Sequence, residues 1–195
     1  MASLVPPPRS APDSDGCAQW YARELDWATT GSSPVRLLTG LRFDVLEVPA
    51  AAGHAALRRV GPTGPVALAG GRMRLLVAAG SADEIPGLLA WLEWGGISLD
   101  LTTLGHGGHI TAPLPPGWAA AGSPGAASWL RPPGTRQEVE LSLPALGGLG
   151  SRGGDAPDLV RLVDAAATEC HRVRLTHART RLRAHRPTGQ PLAFS

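Results

Sequence analysis

Two carboxylates in one apolar run of this chain could serve metal-dependent phosphate chemistry. The run Thr39 to Gly53, TGLRFDVLEVPAAAG, sets Asp44 and Glu47 among Phe43, Val45, Leu46 and Val48, then meets Pro49 and a small-residue segment. This pattern reads as a buried strand passing into a helix, with acids near the strand's C-terminal end. Oxygen ligands converging there from neighbouring strands can hold Mg²⁺ or Mn²⁺, which neutralises phosphate charge. Asp100 lies in the apolar run Ile97 to Leu101. Asp44 stands three residues before Glu47, so in a regular strand the two face opposite ways and cannot chelate together. In the plainer alternative, Asp44 caps a turn and Glu47 faces solvent.

Other chemistry-bearing residues are sparser. His106 and His109 lie three apart in the glycine-rich run LGHGGHITAP, a poor zinc signal without further soft ligands. Cys17 and Cys170 are far apart and inside expected helices, where they read as reduced core thiols. Beyond Glu169 the chain has no acid, and Arg172, Arg174, Arg179, Arg181, Arg183 and Arg186 accumulate. Such a run can contact phosphates in a salt-sensitive, sequence-independent way, or serve as a soluble tail. The chain has 195 residues and a net charge of +2, too small to name a partner. All of its cations are arginine, and Ala, Gly and Pro abound, a bias of GC-rich coding more than of function.

These residues need elements to position them. Residues 1–15, rich in Pro, Ser and Ala, are expected as a disordered tail, and 16–145 as one α+β domain. A linker at 146–154, a C-terminal helix at 155–186 and a tail at 187–195 complete the expected plan. Helical spacing predicts helices over 17–27, 50–60, 81–94 and 156–185. SADE at 81–84 reads as a capping box joining Ser81 to Glu84. Strands are expected at 35–38, along the Asp44 run, as a hairpin of 66–68 with 72–77 around Ala69, Gly70 and Gly71, at 97–101, and finally at 127–131 and 138–143. Leu159, Val163, Ala166, Cys170 and Val173 form a stripe that docks the last helix on the body or on a partner helix. No stretch has the composition of a secretory signal or a membrane span, so a soluble, cytoplasmic protein without membrane contact is expected.

The block TG-x-RFDVL-acid-V and the aromatic segment QWYARELDW, together with GGRMRLLV and Asp100 followed by the glycine turn and Ala-Pro, resemble the actinobacterial bifunctional DNA primase/polymerase domains of the archaeo-eukaryotic primase superfamily. The likeness covers roughly residues 17–131 by eye and is strongest at the Glu47 and Asp100 blocks. It implies a mixed, largely antiparallel sheet with flanking helices, to which the C-terminal helix is an addition. It also implies a catalytic site for DNA replication chemistry in which Glu47 and Asp100 stand at metal-binding acid positions, with Mg²⁺ or Mn²⁺ as cofactor if that site is active. Pro49 falls at the intervening acid position and offers no ligand. Met73 or Arg74, depending on register, replaces a histidine that contacts nucleotide phosphates, and Arg74 could take that role as a bidentate donor. The segment between the first helix and Thr39 is also short for the family. The resemblance thus implies a shortened, catalytically degenerate member, a pseudoenzyme that binds nucleotide or nucleic acid. Two alternatives stand beside it: an active DNA primase/polymerase with an altered metal site, and a regulatory module whose C-terminal helix recruits a protein.

Overall fold

A computed structural model describes residues 14–118, 125–147 and 158–184 of the chain. Most of the expected tails and linker lie outside these residues, and Ser14 and Asp15, expected in the first tail, open a helix. The order is α1 (Ser14–Trp20), continued by a π-helical turn (Tyr21–Leu25), then β1 (Thr29–Thr30), β2 (Arg36–Leu38), β3 (Asp44–Pro49), α2 (Ala50–Val60), β4 (Val66–Ala69) and β5 (Arg72–Val77). It continues through α3 (Ser81–Trp91), β6 (Thr102–Leu104), β7 (His109–Thr111), β8 (Ser128–Arg131), α4 (Arg136–Ser142) and α5 (Leu159–Ala184). This is the expected α+β architecture of antiparallel strands and flanking helices. The strands divide into two sheets, ordered β6-β3-β5-β4-β8 and β1-β2-β7.

Alternation along β3, the strand hydrogen-bonded to β5 and β6, explains the layering. Leu46 and Val48 face a helical layer, where they join Met73, Leu75, Val77, Ala52, Ile85 and the α5 stripe Leu159, Leu162, Val163, Ala166 and Cys170. Val45 faces the other way, with Leu76, against Phe43, Tyr21, Leu25, Trp27 and Leu37. The C-terminal helix is therefore part of the main core, its apolar stripe docked on the body as one of the expected modes required. A side chain on Gly53 would put its Cβ 2.3 Å from Met73 Sδ, so glycine there lets α2 lie close on the sheet. Gly70 and Gly71, both at positive φ, make the tight hairpin turn between β4 and β5.

Three local expectations are corrected. Residues 138–143 alternate like a strand but form α4, because Thr135 and Glu138 make a reciprocal capping box that starts a helix. Residues 97–101 are irregular, and the strand begins only at Thr102, so Asp100 sits in the bend before β6. Ser81 and Glu84 do not cap α3: Gly80 is the N-cap without a side-chain bond, and the Ala82 N–H instead donates to Asp44 Oδ2 at 2.9 Å. Buried Asp44 thus caps a helix from a neighbouring strand, where the plainer expectation had it cap a turn, and Glu47 is paired with arginine where that expectation had it face solvent.

Candidate functional site

Antiparallel pairing sets Glu47 directly opposite Arg74, with Arg72 two residues away on the same face of β5. Met73, between them, points into the core, and Arg74 is the residue beside Glu47. Glu47 accepts from Arg72 Nε through Oε1 at 3.1 Å and from Arg74 Nε through Oε2 at 2.8 Å. Arg72 Nη1 then reaches Asp100 Oδ1 at 2.6 Å. One guanidinium therefore joins the two acids that the sequence singled out. Burial opposes the charge on Arg72, but the hydrogen bonds it donates to Asp100 and Glu47, with their negative fields, outweigh it and hold its pKa above the ordinary value.

Glu47 and Asp100 are thus neighbours around a shared partner, whereas Asp44 lies on the opposite face, as its spacing required. The donor set does not fit paired divalent ions. Both Glu47 oxygens and one Asp100 oxygen are engaged by arginine, Pro49 supplies no oxygen, and among the described residues no group of three or more His, Cys, Asp or Glu could hold a metal. His106 and His109 are exposed and outside any such group. Arg74 keeps Nη1 buried without a hydrogen-bond partner among the described residues, so one donor of this cluster is unspent.

The arginines of α5 fall into two groups. Arg172 pairs with Glu169 at 3.1 Å, and Glu169 also accepts from Arg59 at 3.0 Å, which ties α5 to α2. Arg174 donates to the Ser98 carbonyl in the bend that carries Asp100. Arg179 and Arg181 are exposed, and the side chain of Arg183 lies outside the described residues. Pro49, Asp100, Cys170, Val173, Arg174, His177 and Arg181 line a groove of about 230 Å³ where α5 passes the ends of β3 and β5. Those α5 residues recur at helical spacing, so the stripe that is apolar through Cys170 becomes cationic where the helix passes the sheet.

The sequence reading missed Arg72 and His177. An arginine two places before Arg74 on a strand was the available signal for the first, since i and i+2 share a face. Continuing the Cys170 stripe by four and three was the signal for the second.

Cys170 lines this groove beside two arginines and a histidine, a setting that could activate a thiol. Burial, then the field of Asp100, instead pushes its pKa up to about 12, against a smaller lowering by Arg72. The thiol also donates to the Asp100 carbonyl at 3.6 Å. It stays protonated and is a wall, not a nucleophile. Among the described residues no helix is long and apolar enough to cross a membrane. No protein-family model, curated protein or solved structure matches the chain.

Proposed function

We propose that the chain is a catalytically degenerate primase/polymerase-like domain that binds nucleotide or nucleic acid without polymerising it. The observation that carries this reading is the Arg72 bridge between Glu47 and Asp100, with Arg74 closing the remaining Glu47 oxygen. Two-metal phosphoryl transfer needs free carboxylate oxygens to complete the ions' coordination. Here the acids neutralise the protein's own cations. Guanidinium forks and the α5 cations favour phosphate groups, and Trp91, 72% exposed, is an aromatic surface on the same helical layer.

The test has two arms. In the first, the full chain is given a primed template, nucleotides and Mg²⁺ or Mn²⁺, and no extension is expected. Template-dependent extension that disappears in Glu47→Ala would establish the alternative, an active polymerase with an altered metal site. In the second, a labelled single-stranded oligonucleotide is titrated at increasing salt. Binding is expected to weaken with a log–log slope of about −0.7 for each phosphate contacted. Absence of binding at low salt would favour the regulatory alternative, although α5 has already buried its apolar stripe through Cys170 against its own sheet.

A further inference from the structure

We propose that the groove between the distal half of α5 and the bend at Asp100 is a metal-independent subsite for a phosphate group, in which the Asp100 carboxylate competes with the ligand for the α5 cations. The inference rests on the binding reading above and names how that site is occupied and restrained.

The groove has an apolar floor of Pro49, Cys170 and Val173 and a polar rim of Arg174, His177, Arg181 and Asp100. Arg174 is held in place by the Ser98 carbonyl. A guanidinium has five N–H donors, so one such bond orients the side chain and leaves others for a ligand. The rim's one acid, Asp100, is 64% exposed and bound through one oxygen to Arg72, which comes from the sheet and not from α5. Asp100 therefore presents its negative charge to the same space as Arg174, His177 and Arg181, where an entering phosphate would meet it as a like charge. Because Arg72 also holds Glu47, the sheet fixes Asp100 at the mouth of the groove. Recognition here needs no cation from solution, since arginine supplies the positive charge. The Cys170 thiol on its wall stays protonated and is part of the apolar floor.

Pyrophosphate and a 3′-labelled oligothymidylate, with or without a 5′-phosphate, are titrated into the full-length protein in EDTA. The proteins compared are the wild type, Asp100→Asn, Arg174→Gln and Arg181→Gln. Asp100→Asn keeps a hydrogen-bonding group for Arg72 and removes the charge, so it is expected to tighten pyrophosphate binding about threefold at low salt, the scale of one exposed like-charge contact. Arg181→Gln and Arg174→Gln are expected to weaken it, and no binding is expected to require replacing EDTA by Mg²⁺. A 5′-phosphate that strengthens oligonucleotide binding in the wild type but not in Arg181→Gln assigns the groove to a strand terminus. Equal binding with and without it, with pyrophosphate still bound, assigns the groove to free phosphates.

Weaker or unchanged binding in Asp100→Asn, no effect of Arg181→Gln in a variant whose thermal unfolding matches the wild type, or a strict need for divalent metal would overturn the proposal. Failure here is separable from failure of the functional reading. Polymerase activity would refute degeneracy without altering the EDTA titrations, and a flat pyrophosphate titration would remove the subsite even where no extension is seen.

Discussion

Replacing Arg72 by methionine removes the shared guanidinium while keeping most of its aliphatic stem, so it isolates the charge. The Asp100 side of the bridge is 64% exposed, and its loss should cost at most about 0.5 kcal/mol. The Glu47 side is more enclosed, with Arg72 at 24% and Glu47 at 18% exposure, and a charge-assisted bond there contributes about 1.5 kcal/mol net. The roughly 3–5 kcal/mol penalty of an orphaned buried charge does not apply, because Arg74 still holds Glu47 at 2.8 Å. The expected loss is about 1.5–2 kcal/mol, or roughly 3–8 °C in melting temperature for a chain of this size.

The same substitution changes the charge balance of the cluster. Glu47 and Asp100 are balanced by Arg72 and Arg74, and removing Arg72 leaves one net negative charge and an oxygen released on each acid. Arg72→Met should therefore gain a stabilising response to Mn²⁺ that the wild type lacks. A site with a dissociation constant about tenfold below the metal concentration would restore about 1.4 kcal/mol. Thermal melts of both proteins with and without Mn²⁺ measure this. Equal Mn²⁺ stabilisation of the wild type would refute the claim that arginine fills the place of a metal, and an unshifted melting temperature in Arg72→Met would refute the bridge itself.

Further outcomes follow from the scaffold. Gly53→Ala drives a methyl toward Met73 Sδ, and overpacking of about 1–3 kcal/mol should exceed the helix-propensity gain of about 1 kcal/mol. Urea unfolding should show a net loss, and adding Met73→Ala should cost less in that background than alone. The Thr135 amide and hydroxyl donate to Glu138 Oε2 at 2.8 and 2.9 Å, first the backbone and then the side chain holding this carboxyl below its ordinary pKa. A depressed folded-state pKa contributes stability above the unfolded value and loses it as pH falls through the folded value, so the α4 cap should open only on acidification below the usual glutamate range. The Thr135 amide shift in an NMR pH titration should report this step, and Glu138→Gln should abolish it.

The parts of the fold legible beforehand are those in which one local signal suffices. The Gly70-Gly71 turn announced its hairpin, the apolar alternation around Leu46 announced β3, and the Leu159 to Val173 stripe announced a docked helix. Local signals failed where two competed. Val139, Leu141 and Leu143 alternate as in a strand, yet the Thr135 and Glu138 cap starts a helix over them. At α3, Ser81 and Glu84 match a capping box by type, but the buried Asp44 carboxylate reaches the Ala82 N–H first and stands closer to the core. Nothing within residues 81–84 could reveal a cap delivered from 38 positions away.

The candidate site divides in the same way. That Glu47 and Asp100 stand close together was an expectation of the sequence, but what joins them was not, because β3 pairs with β5 across an intervening helix and strand. That pairing turns Glu47, Arg72 and Arg74 from three separate charges into one neutral cluster with Asp100. Pro49, which looked like only a lost ligand, forms an apolar wall of the groove. The helix that seemed an appendage brings Arg174, His177 and Arg181 to the acid that a metal would have needed. In the proposed reading, loss of carboxylate oxygen and gain of arginine at the same place are one change in charge. A surface that would have attracted cations in order to hold phosphate carries the cations in its own chain.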